Sequence, residues 1–373
     1  MEMRFSLSSS VRYGRGISGS VGSLLRENNI KKTLLVYDKG IFKAGLTAPI
    51  RSAIEKEGIE VAVFDNVEPN PTDISISEGA AVARNENVQA IVAIGGGSAM
   101  DCAKGINVLQ ANPEPIIQYE GGDNVPNRGL FMVCIPTTAG TSSEITSVCI
   151  ITDTQTERKY IMAGKNVGAD YALVDPALTD NLPQKVSAAT GVDALTHALE
   201  SYVSLGANPL TKPLSLQAAK LIYNNLAEAA NVPGSKNARD QMSLGCIIVG
   251  CAFSNAGLGL VHAISHTLSA HFGLAHGVAC GVTLPYVLEY NYESAKEGYD
   301  ELKEAICPGT EKSLAQLVLE LERELDMPRL GQCGVPEDKL PFLAAETMKE
   351  DYMTNPNTVI NEEVVLEILK KAY

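Results

Sequence analysis

The chain has 373 residues, of which 45% are hydrophobic and 20% charged, as in an ordinary globular protein of about two domains. It carries 30 Lys and Arg against 44 Asp and Glu, which gives a net charge of −14. Because nucleic acids and anionic membrane surfaces bind clustered positive charge, this balance argues against both as partners.

The first half of the chain alternates short β-branched runs with helical patterns. Strands are predicted at 33–38, 59–65, 89–96, 131–137 and 171–175, with helices notably at 47–58 and 75–87. This alternation is typical of a mostly parallel sheet covered by helices on both faces. Beyond Pro183 the chain is rich in Ala, Leu, Glu and Lys with helical periodicity. We therefore predict an α/β domain over residues 1–183 and an all-helical domain over residues 184–373.

A glycine turn at 95–97 joins the strand at 89–96 to a helix. Ser98 is its predicted N-cap, with Asp101 three residues on. Glycine lets a backbone approach a ligand closely, and a helix N-terminus favours an anion such as a pyrophosphate. The run lacks both the G-x-G-x-x-G fingerprint and a P-loop Lys, so a strand-to-helix turn without a ligand is an equal alternative.

Two further features are predicted at the same edge of the sheet. The segment 135–144 carries five hydroxyl residues after a strand: Thr137, Thr138, Thr141, Ser142 and Ser143. Asp38 ends the strand at 33–38, where a carboxylate accepts hydrogen bonds from a ribose 2′-hydroxyl and repels a 2′-phosphate. Alone, the hydroxyl segment is more simply a polar surface loop, and Asp38 is more simply a turn or cap residue. Together they indicate a nucleotide site, because the carboxyl ends of parallel strands share one edge.

Histidines occur in a single stretch of the chain. They are His197, His262, His266, His271 and His276. Asp193 and His197 are four residues apart on a predicted helix, as are His262 and His266, so each pair points the same way. His276 is expected past the end of the second helix. One carboxylate with several imidazoles is a ligand set for Fe(II) or Zn(II), and ordinary core or capping histidines are the alternative.

Several motifs together carry a family resemblance. They are GGGSAMD, PTTAGTSSE, GVDALTHALESYVS, GLGLVHAISHTLSAHFGLAHGVACGVTLPYVLEYN and TNPNTVINEEVVLEILKKAY. Over essentially its whole length, the chain resembles the iron-containing (group III) alcohol dehydrogenases. The resemblance implies an N-terminal α/β domain that binds NAD(P), a helical C-terminal domain, and a catalytic metal in the cleft between them.

The resemblance also implies roles for individual residues. The implied metal ligands are Asp193, His197, His262 and His276, and His266 matches a position implicated in catalysis or proton transfer. The implied cofactor contacts are Asp38, Asn70, Gly96, Gly97, Ser98, Asp101, Thr137, Thr138, Thr141, Ser143 and Lys159. Val148 and Phe253 match positions that line the substrate pocket, although each could be plain core. His271 has no family role and is expected beside the site or in the pocket wall.

The expected reaction is hydride transfer between NAD(H) and a small primary alcohol or aldehyde, with the protein working as an aldehyde reductase. Fe2+ is the expected metal, with Zn2+ as the alternative, and Asp38 favours NAD over NADP. Relatives imply a homodimer or larger homo-oligomer. Two other functions stay open: a metal-dependent lyase of the dehydroquinate-synthase type, and a non-catalytic metal-binding relative.

The cellular location is predicted from leader and cysteine patterns. The first 16 residues contain no basic stretch followed by an apolar run, so no secretory signal is expected. No window offers about 18 uninterrupted apolar residues, so no membrane-spanning helix is predicted. The 8 cysteines form no C-x-x-C pair, which suits reduced thiols in a cytoplasmic protein.

Overall fold

A computed structural model describes residues 5–156, 158–350 and 354–373. Residues 1–4, part of the segment in which no secretory signal is expected, lie outside the described residues. The chain forms two compact units. The α/β unit comprises residues 7–138 and 142–180; the helical unit comprises 139–141 and 181–373, with the described residues before Leu7.

The α/β unit is built on a parallel sheet. In chain order its strands are β1 (Ser10–Tyr13), β2 (Lys32–Val36), β3 (Glu60–Phe64), β4 (Ala90–Gly95), β5 (Gly121–Gly122), β6 (Phe131–Pro136), β7 (Val148–Asp153), β8 (Arg158–Ala163) and β9 (Tyr171–Val174). Six of them form one sheet in the order β1-β9-β6-β4-β2-β3, and every neighbouring pair is parallel. The predicted strands are all present, with no end shifted by more than two residues, which confirms the α/β fold class.

Alternation along each strand explains how helices cover both faces of the sheet. The helices of this unit are α1 (Val21–Glu27), α2 (Lys39–Lys43), α3 (Thr47–Glu55), α4 (Asp73–Asn85) and α5 (Gly97–Ala111). Leu34 of β2 lies in one apolar cluster with Ile106 of α5. The next residue, Leu35, lies in a second cluster with Leu24 of α1. Successive strand residues point to opposite faces, so a strand buried on both sides must be apolar throughout.

A second, three-stranded sheet was not predicted from the sequence. Its order is β5-β8-β7, and β7 pairs with β8 antiparallel. Asp153 ends β7, and its carboxylate accepts hydrogen bonds from the Gln155 N–H at 2.9 Å and the Thr156 hydroxyl at 2.7 Å in the turn that follows. The turn is rich in polar residues, and the β-branched run of β7 before it is the signal that would have predicted a strand there.

Two helix starts differ from prediction for identifiable reasons. Helix α4 begins two residues earlier than expected because Thr72 and Ser75 form a reciprocal capping box. The predicted N-cap at Ser98 is wrong: α5 begins at Gly97, and the extended Gly96 is its N-cap without a side-chain hydrogen bond. Gly95, with φ of 151°, turns the chain before Ser98 is reached, so Ser98 lies in the first helical turn.

The second unit is helical, as predicted. Its helices are α6 (Gln184–Val203), α7 (Thr211–Asn231), α8 (Lys236–Ala256), α9 (Leu260–Phe272), α10 (His276–Ile306), α11 (Leu314–Glu324), α12 (Leu340–Thr347) and α13 (Glu362–Ala372). They share one apolar core that extends from Ala188 of α6 to Ala372 of α13. In the described ranges no single helix is long and apolar enough to cross a membrane; α8 and α9 pass that test only as a pair bent by 100°.

Candidate active site

One face of α6 supplies three buried polar side chains. Asp193, His197 and Glu200 are spaced by four and then three residues, so they lie on the same side of the helix. Each is at most 6% exposed. Buried polar and charged groups are stable only when partners satisfy them, so this face requires acceptors, donors or a cation opposite it.

Asp193 is the centre of a cluster of imidazoles from three helices. Its Oδ1 lies 3.5 Å from Nε2 of His276, 3.7 Å from Nε2 of His262 and 3.8 Å from Nδ1 of His197. These separations are too long for good hydrogen bonds. They are close to the separation of about 3.4 Å expected for two ligand atoms that each lie about 2.1 Å from one tetrahedral ion.

Two buried ring nitrogens support a cation at this point. Within the described residues, Nε2 of His262 and Nδ1 of His197 are buried without a hydrogen-bond partner. An unpartnered buried nitrogen is costly unless something absent from the protein chain binds it. One carboxylate with neutral imidazoles is a donor set typical of Fe(II) and Zn(II), so the residues fit a divalent transition metal.

The structure adds a thiol that sequence reasoning missed. The Cys280 Sγ lies 3.6 Å from Oδ1 of Asp193 and 3.8 Å from Nε2 of His276. The ligand atoms of Asp193, His262, His276 and Cys280 all lie within 4.8 Å of one another. Cys280 follows His276 by four residues on α10, and this one-turn spacing is the signal that would have found it. His197, four residues after Asp193 on the same face of α6, lies beside this group.

Burial and neighbouring charges shift the pKa values of the cluster residues in different directions. Burial alone would raise the pKa of the Asp193 carboxyl, but His197, His276 and His262 together hold it below its ordinary value. Burial lowers the pKa of His197 to about 3, despite the opposing carboxylate of Asp193. Burial also acts to lower the pKa of His262, but Glu200 and Asp193 outweigh it and raise that pKa to about 9. His197 is therefore neutral near pH 7 and can donate a lone pair.

Of the two histidines not yet described, His266 contacts His276 and His271 contacts residues of α12. As predicted, His276 lies beyond the end of α9 and begins α10. His266 is buried, and its ring stacks on that of His276 with centroids 5.2 Å apart. The ring of His271 lies 5.0 Å from that of Phe342, with Nε2 3.8 Å from Glu346. The expectation that His271 lies beside the site gains no support from these contacts.

Phe253 forms an apolar wall against the cluster. It projects from α8, and its ring stacks on that of His197 with centroids 4.2 Å apart and an interplanar angle of 14°. Val148, the other predicted pocket residue, begins β7 in the α/β unit. Its carbonyl accepts a hydrogen bond of 2.6 Å from Nζ of Lys104.

The order of strands in the sheet brings three predicted cofactor segments to one edge. Strand β4 lies between β2 and β6 in the parallel sheet. Asp38 follows β2, the glycine turn follows β4, and Thr137 follows β6. Thr138 lies against Gly96, since a Cβ there would be 3.3 Å from the Thr138 hydroxyl oxygen. Oγ1 of Thr137 is buried and has no hydrogen-bond partner in the described part of the chain.

Asp38 caps a helix at this edge. Its Oδ1 accepts hydrogen bonds from the N–H groups of Gly40 at 2.7 Å and Ile41 at 3.0 Å, so it is the N-cap of α2. The capping role that the sequence also allowed is therefore present. A contact of Asp38 with ribose stays a prediction, and the half-buried carboxylate leaves Oδ2 outside these two bonds.

Asp101 and Ser143 brace the hydroxyl loop. The Ser143 hydroxyl donates to Oδ1 of Asp101 at 2.7 Å, and the Ile150 N–H donates to Oδ2 at 3.1 Å. Fully buried Lys104 donates to the carbonyl of Ser143 at 2.7 Å. Sequence reasoning assigned no role to Lys104, although it follows the glycine turn within the same helix. The loop is therefore positioned by a buried ion-pair network.

The remaining predicted cofactor residues form a second group. Lys159 donates from Nζ to Oδ1 of Asn70 at 2.8 Å, and the Asn70 N–H lies 3.4 Å from Oγ of Ser98. The structure therefore brings Asn70, Ser98 and Lys159 together in the α/β unit. Gly97 precedes Ser98 in the first turn of α5. Thr141 belongs to the three-residue segment 139–141 of the helical unit.

Two family models cover nearly the whole chain. The model described as iron-containing alcohol dehydrogenase matches residues 8–176, and the model for the C-terminal part of that family matches residues 187–373. The chain is 36% identical to 1,3-propanediol dehydrogenase of Klebsiella pneumoniae, with 97% of this chain and 96% of the relative covered. It is 34% identical to lactaldehyde reductase of Escherichia coli strain K12, with 98% of each covered.

Solved structures of two oxidoreductases superpose closely on this chain. A 1,3-propanediol oxidoreductase structure superposes with a TM-score of 0.96, at 34% identity and with 100% of both chains covered. A sulfoacetaldehyde reductase of Bifidobacterium kashiwanohense, solved in complex with NAD+, superposes with a TM-score of 0.91 at 26% identity, covering 100% of this chain and 99% of that one. None of these matches is a lyase, so they do not favour the lyase alternative.

Proposed function

The chain belongs to the iron-containing alcohol dehydrogenase family, and we propose that it reduces a small aldehyde to a primary alcohol with NADH, reversibly. The observation that carries this proposal is the Asp193-centred cluster of imidazoles on α6, α9 and α10. Residues 184–373 hold the metal in this proposal, and residues 1–183 bind the dinucleotide.

Four side chains would hold the metal: Asp193, His197, His262 and His276. We propose Fe2+ as the ion, with Zn2+ as the competitor, because the donor set accepts both. The thiol of Cys280 lies beside the group as a softer donor, and this is why zinc is retained as the competitor. Elemental analysis after anaerobic purification tests the choice. One iron per chain supports Fe2+. Zinc alone, found in protein purified under iron-replete conditions, would show that the bound ion is Zn2+ instead.

The reaction divides between the bound groups and the chain. When bound, a divalent cation supplies Lewis acidity toward an alcohol or aldehyde oxygen, and NAD(H) carries the hydride. His266 is the proposed proton relay, supported by its burial and by its ring stacking on His276. Phe253 and Val148 are the proposed walls of the substrate pocket. Phe253 would exclude water next to His197, on which it stacks.

The proposed NAD contacts lie on the edge of the parallel sheet. Gly96, Gly97 and Ser98 offer the free N–H groups of the first turn of α5 to the pyrophosphate. Thr137, Thr138 and Thr141 supply hydroxyls, and Asp38 selects against a 2′-phosphate. Asn70 and Lys159, which are hydrogen-bonded to each other, are proposed to bind NAD as a pair. Asp101 and Ser143 are proposed to act at the same loop, which they brace.

The cellular setting is also a proposal. All the cysteines are free thiols, including four that are fully buried in the α/β unit or beside Asp193, which suits a reducing cytoplasm.

We propose a homodimer or larger homo-oligomer. Strand β1 lies at an edge of the sheet with Val11 and Tyr13 exposed, and an open edge strand can pair with a second copy.

A panel of short aldehydes assayed with NADH tests the function directly. The iron-loaded protein is kept anaerobic, and the panel includes lactaldehyde and 3-hydroxypropionaldehyde because relatives act on the corresponding alcohols or aldehydes by name. We expect NADH oxidation in step with aldehyde loss. Metal-dependent turnover of a substrate without net change in NADH would instead indicate lyase chemistry. No turnover with any aldehyde would remove the proposal.

A further inference from the structure

Glu200 makes three hydrogen-bond contacts at the start of α9. Its Oε1 accepts from the Val261 N–H at 2.8 Å, and its Oε2 accepts from the Gly259 N–H at 3.0 Å. Oε2 also lies 2.5 Å from Nδ1 of His262. The first N–H groups of a helix have no partner within the helix, so Glu200 satisfies two of these backbone donors while it contacts the histidine.

The contact with His262 determines which ring nitrogen carries hydrogen. A carboxylate that accepts from two backbone N–H groups is an acceptor at both oxygens, so Nδ1 of His262 must be the donor. A neutral imidazole with hydrogen on Nδ1 has its lone pair on Nε2. That Nε2 lies 3.7 Å from Oδ1 of Asp193 and has no hydrogen-bond partner in the described ranges.

Helix α6 therefore contacts both nitrogens of one imidazole. Asp193 and Glu200 are seven residues apart, about 10 Å along the helix axis. Asp193 faces the Nε2 side of His262 and Glu200 faces the Nδ1 side. Glu200 therefore holds the ring at Nδ1 and leaves Nε2 facing Asp193.

We propose that Glu200 is a positioning residue that fixes His262 as its Nδ1–H tautomer and so directs Nε2 to the metal centre. The inference rests on the proposed function, since it takes the Asp193 cluster to be the metal site. Groups that orient a ligating histidine through its second nitrogen commonly change metal affinity by about 10–100-fold when they are removed.

Close packing around Glu200 offers a second way to test its position. A Cβ on Gly259 would lie 2.9 Å from Oε1 of Glu200 and 3.0 Å from Oδ1 of Asn355. Both oxygens already accept hydrogen bonds from the first residues of α9, at Val261 and Leu260. Gly259→Ala therefore displaces the Glu200 carboxylate without changing any charge in the cluster.

The experiment compares Glu200→Gln and Gly259→Ala with the unaltered protein. Zinc affinity is measured by competition with a chromogenic chelator, and the histidine tautomers are measured by long-range ¹H–¹⁵N NMR on protein labelled at its 5 histidines. Glu322→Gln is the matched control, since it replaces another carboxylate of the helical unit with a buried Oε1. Thermal melts show that each variant is folded.

We expect zinc affinity to fall by about 10–100-fold in Glu200→Gln and to remain within twofold in the control. In the zinc-loaded proteins, the His262 signal should be that of the Nδ1–H form in the unaltered protein and of the Nε2–H form or a mixture in Glu200→Gln. Zinc affinity and the His262 tautomer should change in the same direction in Gly259→Ala. This variant tests the role of Glu200 if Glu200→Gln does not fold. Unchanged affinity and an unchanged His262 tautomer in the folded variants would overturn the role of Glu200 alone. Failure of the unaltered protein to bind zinc would overturn the metal centre as well.

Discussion

A Cβ atom on Gly277 would lie 2.0 Å from the carbonyl oxygen of Ala189, so α10 contacts the backbone of α6 at this point. Gly277 directly follows His276, whose Nε2 is 3.5 Å from Oδ1 of Asp193. The absence of a side chain at Gly277 is what allows the two helices to approach so closely. The geometry of the candidate metal centre therefore depends on a glycine that binds nothing itself.

Gly277→Ala should move His276 away from Asp193, because a backbone oxygen at 2.0 Å cannot give way as a flexible side chain can. We expect zinc affinity to fall at least tenfold, with a lower melting temperature. Equilibrium dialysis against zinc measures the loss. Gly298→Ala, which lies beyond the kink of α10 at Ala295, is the control, since a Cβ there would meet only side-chain atoms, at 3.0 Å or more. Unaltered zinc binding in Gly277→Ala would show that the helix contact does not set the site.

The C-terminal segment is joined to α10 by a reciprocal pair of amides. Asn291 donates to Oδ1 of Asn355 at 2.7 Å, and Asn355 donates to Oδ1 of Asn291 at 2.8 Å. Both are buried, and replacing Asn355 takes a partner away from the Asn291 amide and from the Leu260 N–H, at a cost of about 1–3 kcal/mol. We expect Asn355→Ala to lower the free energy of unfolding by that amount in urea titrations.

A double-variant cycle provides the control for this pair. If the two amides act together, the Asn291→Ala and Asn355→Ala double variant should be destabilised by clearly less than the sum of the single variants. Strictly additive effects would show that the hydrogen bonds between them contribute little.

Stability should depend on pH through Glu144. Burial raises the pKa of this carboxyl to about 7 from an ordinary 4.5, although its own backbone N–H and Lys104 oppose the change. The folded state then binds a proton that the unfolded state releases, so the contribution is complete below about pH 4.5 and is lost as pH rises towards 7. The loss is up to about 3 kcal/mol.

Urea unfolding of the wild-type protein and of Glu144→Gln across pH 4.5 to 8 measures this effect. The wild-type protein should lose stability relative to Glu144→Gln as pH rises, because the amide stays neutral. A constant difference between the two over the whole range would contradict the raised pKa of Glu144.

Local signals in the sequence predicted the fold and the Asp193 cluster, whereas residues whose partners are distant in the sequence were missed. The apolar runs of β2 and β4 and the four-residue spacing of Asp193 and His197 are local signals, so they are visible in one dimension. Glu200 and Lys104 act through contacts with distant segments, at Gly259 and Ser143 respectively. Only the folded chain brings such partners together.

Some errors came from competing local signals. Ser98 looked like an N-cap because hydroxyl residues favour that position, but the glycines before it had already started the helix. Asp38 is not such an error: it caps α2, as one alternative allowed, and its contact with ribose stays a prediction. The distinction between these two roles depends on a ligand, which residue types alone do not specify.

Removing one ligating histidine should remove the metal but leave the fold intact. We expect His262→Ala and His276→Ala to bind less than one tenth of the metal of the wild-type protein and to lose aldehyde reduction. His271→Ala is the control, because that ring packs on Phe342 and lies near Glu346. Circular dichroism monitors folding, and elemental analysis measures the metal. Full activity in chelator-stripped His262→Ala protein would refute its assignment as a ligand.

The preference for NADH over NADPH should depend on the charge of Asp38. Asp38→Asn retains a side-chain oxygen that can cap α2 but removes the charge that repels a 2′-phosphate. We expect the ratio of kcat/KM for NADPH to that for NADH to rise at least tenfold in the variant. A clear preference of the wild-type protein for NADPH would defeat the assignment of Asp38.

The central claim is that one divalent ion binds at Asp193 with the surrounding imidazoles. Anomalous scattering at the iron edge, from crystals grown anaerobically with Fe(II), tests it most directly. We predict one strong anomalous peak per chain, about 2 Å from Oδ1 of Asp193 and from the facing nitrogens of His262 and His276. Crystals that contain iron but show no peak among these side chains, with the imidazoles turned away from one another, would contradict it.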